Sequence, residues 1–297
     1  MTRRVIAAVL GLAVPACGDP AGPAAPDDGG PASDAAPGCV EPALDGAWLP
    51  PLLTGAVASL AAAPRATTTQ RSAARSYLSA QLSSYGWAPT EHVFSGGINI
   101  LATIPATVPA GDEGLPVIVG AHFDTVAGSP GANDNAGGSA VVLAVARALA
   151  DTPCRARAVT VILFDQEEVG LFGSSAYAQA RDPAQVHSVH TIDQVSWDGD
   201  GDRVFELELP TPALEASWRV AATALGVPVT TTTTEGTDHE PFRDRGFAAV
   251  GLTEEYVGGD TSPHRHLASD TPATVDAPYL TLAAQLTLRV ILDTVRP

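Results

Sequence analysis

The residues able to do chemistry stand just past runs of apolar residues. His122 and Asp124 close VIVGAHFDT, Glu167 and Glu168 close VILFDQEEVG, Asp193 closes VHTIDQV, and Asp134 lies in the glycine-rich GANDNAGGSA. Each has an ordinary reading when taken alone. His122 suits a hydrogen-bonded histidine of core or surface, Asp134 a turn leading into a helix, and Asp193 a loop. The glutamate pair is harder to place. Adjacent carboxylates repel, and burial makes each costly unless cations or hydrogen bonds compensate. A bound metal supplies that compensation, and imidazole with carboxylate is a donor set zinc accepts. Taken together, these positions predict a metal site at the carboxyl ends of several strands, where open α/β sheets bind ligands.

The elements that must position these residues are legible in outline. Gln70–Tyr85 carries Ala74, Tyr77, Leu78 and Leu82 at helical spacing, and Gly86 stops it. Ile98–Ile104 and Pro116–Ala121 read as short strands. Ser139–Ala150 has almost no polar face and predicts a buried helix. Ala158–Phe164 is a continuous apolar run of strand length, expected of a central strand covered on both sides. Helices are predicted at Leu171–Ala180, Pro212–Leu225 and Ala277–Val295, and strands at about Arg203–Leu207 and Phe247–Thr253. The expected fold is α/β: a three-layer sandwich with a mostly parallel central sheet and helices on both faces.

Composition narrows the function classes. The chain has 297 residues, 45% of them hydrophobic, and a formal charge of −17. That balance argues against nucleic acid, whose phosphates demand Lys and Arg. Arg3 and Arg4 ahead of Val5–Ala16 read as a signal peptide over residues 1–16, too short an apolar run to span a bilayer. Val14-Pro15-Ala16-Cys17 resembles a bacterial lipobox, which implies a lipid anchor at Cys17; cleavage near Ala16 and secretion is the alternative. Residues 17–42 are rich in Pro, Ala, Gly and Asp and read as a tether. Residues 43–297 are then one catalytic domain, exported to the cell envelope or secreted. Export permits a disulfide between Cys39 and Cys154, and leaves two free thiols equally open. His92, His187 and His190 match no motif and are expected at the surface.

The order HFDT, GANDNAGGSAVVLAVARAL, FDQEEVGLFGSSAYA, TIDQV, TDHEPFRDRGFAAVGLTEE and HLASDT resembles the dinuclear zinc aminopeptidase family. This is the family of the secreted bacterial leucyl aminopeptidases, with glutaminyl cyclases as relatives. The resemblance spans about Asn99 to Asp276 and implies the zinc exopeptidase fold with two zinc ions. It gives His122 and Asp193 to one ion, Glu168 and His266 to the other, and Asp134 to both. It makes Glu167 the general base and Asp124 the carboxylate that orients His122. His266, rather than His264, has the motif's spacing to Asp270; Asp238 and His239 fall near the site. The implied reaction is removal of the first residue from a peptide with a free N-terminus. A hydroxide shared by the zinc ions would attack, with Glu167 carrying its proton. Asp134, Glu168, Asp193 and that hydroxide would balance the charge of both ions. Two positions depart from the family. Ala144 stands where relatives often carry Glu, and Thr234 where some carry a tyrosine, leaving Tyr256 as the substitute donor. A one-zinc glutaminyl cyclase and a zinc carboxypeptidase or amidohydrolase on the same fold are the alternatives.

Overall fold

The computed structural model describes residue 44 and residues 46–108 and 114–297. The signal peptide, Cys17, the tether and Cys39 lie outside these residues. Cys154 is disulfide-bonded. Among the described residues no helix is long and apolar enough to cross a membrane.

The elements, in chain order, are α1 (Leu49–Leu60), α2 (Thr68–Ser84), β1 (Thr90–Phe94), β2 (Gly97–Ile104), β3 (Val117–His122), α3 (Gly138–Ala150), β4 (Val159–Phe164), α4 (Phe172–Gln179), β5 (Ser188–Ile192), β6 (Phe205–Glu208), α5 (Pro212–Leu225), β7 (Val229–Thr232), α6 (Glu240–Asp244), β8 (Ala249–Thr253) and α7 (Ala277–Val295). Local chemistry explains several boundaries. Thr67 and Gln70 form a reciprocal capping box that starts α2. Prolines occupy the first turn of α1, α5 and α7, where a missing N–H costs nothing. Gly226 ends α5 in the left-handed conformation.

The strands form one eight-stranded sheet in the order β1-β2-β4-β3-β5-β8-β6-β7. Its centre, β4-β3-β5-β8, is parallel. Antiparallel pairs join β1 to β2, β2 to β4 and β6 to β8, so the sheet is mixed around a parallel core. One face packs on α1, α2, α3, α5 and α7; the other packs on α4 and α6 through Tyr177, Ala178 and Phe242. This is the three-layer arrangement expected from the sequence. β3, β4, β5 and β8 are buried along their whole length.

Several elements differ from the sequence reading. α1, β1, β7 and α6 are absent from the sequence reading: α1 does repeat Leu49, Leu53, Ala56, Val57 and Leu60 at helical spacing, whereas β1, β7 and α6 carry no clean apolar period and are held by their neighbours. β1 and β7 are edge strands with exposed faces. The strand expected at Arg203 begins at Phe205 instead, because Arg203 has a positive φ of 65°. His190 is not at the surface. It is fully buried in β5, hydrogen-bonded to Ser188 Oγ and receiving a bond from Trp218 Nε1, and burial pushes its pKa down to about 3.

Candidate metal centre

After β3 the chain turns to β4 on one side, and it later returns as β5 on the other. The crevice therefore opens at the carboxyl ends of β3, β4 and β5, which carry His122, the Glu167–Glu168 pair and Asp193. The loop entering α3 brings Asp134 over the same crevice, and the loop after β8 brings His266.

The side chains converge. His122 Nε2 lies 3.3 Å from Asp193 Oδ1 and 3.3 Å from Asp134 Oδ1. His266 Nε2 lies 3.2 Å from Asp134 Oδ2 and 3.0 Å from Glu168 Oε2. Asp134 thus turns one oxygen toward each imidazole. Glu167 Oε2 is 3.9 Å from His122 Nε2. Donor atoms of His122, Glu167 and Asp193 lie within 4.8 Å of one another, as do those of His122, Asp134 and Glu168. His264 faces elsewhere: its Nδ1 is 3.0 Å from Ser269 Oγ, and its ring meets Trp197 edge-on.

Supporting residues fix these positions. Asp124 lies 3.5 Å from His122 Nδ1 and accepts the backbone N–H groups of Glu167 and Glu168. One carboxylate therefore aligns the histidine and the glutamate turn together. Asp270 accepts the N–H groups of Asn133 and Asp134. Asn133 donates to Glu254, which also accepts from Ser262 ahead of His266. Arg65 is buried beneath, donating to the carbonyls of Leu60, Phe123, Pro130 and Gly131. The loop must also pass tightly over the sheet. A Cβ on Gly138 would stand 2.3 Å from Asn135 Oδ1 and 2.5 Å from the Ile192 carbonyl. Gln166, Gln194 and His266, each at or beside a converging residue, have positive φ, a strain that clusters at functional sites.

Asp238, at the amino end of α6, is buried near the same cluster, and burial pushes its pKa up to about 7. Of the two departures from the family pattern, Ala144 is buried in α3, and the Thr234 hydroxyl donates to Thr232 Oγ1; Tyr256, the substitute donor, is exposed. The sequence reading missed Arg65, Asn133 and Glu254. Arg65 lies upstream of every motif and carries no local signal; Asn133 and Glu254 lie inside motifs beside other polar residues, and nothing local sets them apart.

The donor set fits metal cations. Carboxylates crowd two imidazoles in a buried crevice, and Arg65 directs its donors to carbonyls rather than to them. Without further cations, burial pushes Glu167 up to about 10, with the Asp193, Asp238 and Asp134 charges adding and His122 opposing. Burial and the Asp134 charge push Glu168 up to about 7. Burial would raise Asp134 too, but hydrogen bonds with His122 and His266 outweigh it and hold it low. Groups forced to share protons in this way are those a divalent cation satisfies.

Known proteins resemble this chain in sequence and in fold. Over 192 residues the chain is 30% identical to the aminopeptidase YwaD of Bacillus subtilis (strain 168), covering 61% of this chain and 41% of that protein. A zinc aminopeptidase from Bacillus subtilis superposes with a TM-score of 0.62 at 25% identity, covering 67% of this chain and 50% of that one. A Porphyromonas gingivalis glutaminyl cyclase shares the fold, with a TM-score of 0.70 at 19% identity, covering 83% of this chain and 98% of that one. The chain spans about two fifths of the length of the curated relatives it matches. A family model covers residues 99–291, the stretch holding every converging residue, and the chain belongs to Peptidase family M28.

Proposed function

We propose that this chain is a zinc-dependent aminopeptidase that removes the N-terminal residue of peptides with a free amine, using two zinc ions. The observation that carries this reading is the posture of Asp134, with Oδ1 3.3 Å from His122 Nε2 and Oδ2 3.2 Å from His266 Nε2. Each imidazole has a further carboxylate of its own, Asp193 or Glu168, so one shared carboxylate suits two cations. His122 and Asp193 would hold one ion and His266 and Glu168 the other, with Asp134 between. Zinc held there would polarise a scissile carbonyl and make water acidic enough to ionise near neutral pH.

The chain's own residues do the rest. Glu167 accepts the proton of the attacking water at its carboxylate and returns it to the leaving amine. Asp124 holds the His122 ring by its Nδ1 side and keeps Nε2 turned into the crevice. Glu167 and Asp193 give the pocket a negative lining that suits the α-ammonium of a free N-terminus, with the buried Asp238 carboxylate behind them, which favours exopeptidase over endopeptidase action. The aminopeptidases among its relatives support the same reading. We also read residues 1–42 as an export signal and tether, testable by mass spectrometry of the mature N-terminus in the native host.

The test is hydrolysis of leucine p-nitroanilide by the purified chain, with the N-acetylated anilide as control and zinc measured on the same sample. Hydrolysis confined to the free amine, abolished by a chelator and restored by zinc, is expected. Equal hydrolysis of the acetylated substrate, or none with two zinc ions bound, would reject the reading. One bound zinc and no hydrolysis would point to cyclase chemistry.

A further inference from the structure

Arg265 is a cation at the mouth of the site with its donors uncommitted. It directly precedes His266. Its side chain is 37% exposed, and Nε lies 3.7 Å from Asp134 Oδ2 without forming a hydrogen bond. Its guanidinium carbon is 5.5 Å from the centre of the Tyr256 ring. Arg65, the other guanidinium near the cluster, is buried and bonded to carbonyls. Arg265 is therefore the one of these two that can reach a bound molecule.

A guanidinium carries donors in a planar fork that matches a carboxylate edge to edge. Beside a pocket that holds an α-ammonium, such a group repels the amine and gains nothing from a neutral substrate. It does gain from a substrate that sets its amine against Glu167 and Asp193 and turns its own carboxylate toward the loop before His266. At 3.7 Å the contact between the buried Nε and Asp134 is too long for a hydrogen bond, so a substrate carboxylate that meets the exposed part of the guanidinium displaces no bond. Tyr256 beneath the guanidinium limits the directions in which the fork opens.

We infer that Arg265 selects substrates that carry a carboxylate close to the scissile bond, an inference that rests on the aminopeptidase reading. The anion has two sources: the side chain of an N-terminal Asp or Glu, or the C-terminus of a dipeptide.

The experiment compares kcat/KM within matched pairs on the zinc-loaded full chain. Glu p-nitroanilide against Gln p-nitroanilide reads the first source, and Leu-Gly against Leu-Gly-amide reads the second. In the wild type the acidic member of at least one pair is expected to be favoured about tenfold or more, as a charge-assisted hydrogen bond allows. The preference should fall toward unity in Arg265→Gln. Arg265→Lys should retain only part of it, because the charge remains and the fork is lost. Both ratios at or below unity in the wild type, or a ratio that survives in Arg265→Gln, would overturn the inference. If leucine p-nitroanilide is cleaved while both ratios are flat, Arg265 alone has been misread. If no substrate is cleaved, the aminopeptidase reading falls and this inference with it.

Discussion

Asp270→Asn should loosen the metal site through a residue that faces no metal ligand side chain. Asp270 is fully buried and accepts the Asn133 N–H at 2.8 Å on Oδ1 and the Asp134 N–H at 3.1 Å on Oδ2. An asparagine can accept at one of these positions only. In either orientation its NH2 group faces a backbone N–H, and one buried donor is left unpaired. A hydrogen bond to a charged group contributes roughly 1.5–3 kcal/mol net, and a neutral one about 1. Losing one charged bond and weakening the other therefore removes about 2–5 kcal/mol of stability. Burial offsets part of this, because it already raises the Asp270 pKa against the pull of the two N–H groups. The damage falls on the peptide groups that aim Asp134, whose oxygens face both imidazoles, so zinc affinity should fall about 10- to 100-fold. The assay is competition for zinc with a chromophoric chelator, run beside urea unfolding of wild type and variant. A variant destabilised by this amount that still binds zinc within about threefold of wild type would refute the claim that Asp270 acts through Asp134.

Three further outcomes follow from the same geometry. Glu167→Gln should keep bound zinc near wild-type content while kcat falls about 10²- to 10⁴-fold, read by metal analysis and anilide hydrolysis together; loss of zinc in step with activity would make Glu167 a ligand instead. Burial pushes Glu208 up to about 8, so the folded state holds a proton there that the unfolded chain releases above its ordinary value near 4.5. Stability from that proton is complete below about 4.5 and lost as pH rises toward about 8. Glu208→Gln should therefore gain melting temperature relative to wild type between pH 5 and pH 8, and a pH-independent difference would contradict the assignment. Gly138→Ala should cost about 1–3 kcal/mol in denaturant unfolding, because its Cβ meets Asn135 Oδ1 and the Ile192 carbonyl; an unchanged midpoint would mean that the loop yields.

The sequence by itself determined the parallel core of the fold and the identity of the converging residues. Apolar runs such as Ala158–Phe164 have few structures open to them: a strand buried on both faces satisfies its backbone and its side chains together. Helix α3 is apolar on nearly every face, Arg147 near its end apart, and so had to be interior. The chemistry was equally local in origin, since paired glutamates after a buried strand are costly without a cation and so announce one. Elements whose stability comes from neighbours were not legible. β1 and β7 pair only at the sheet edges. Nor could the sequence reveal His190 as a core residue, because its partner Trp218 is 28 positions away. The supporting shell was decided by the tertiary structure alone. Asp270 reaches the N–H groups of Asn133 and Asp134 from 137 and 136 residues away. Arg65 reaches the Phe123 and Gly131 carbonyls from 58 and 66 residues away. Such contacts follow no local period or motif; they exist because folding brings distant backbone groups into a space where water cannot satisfy them.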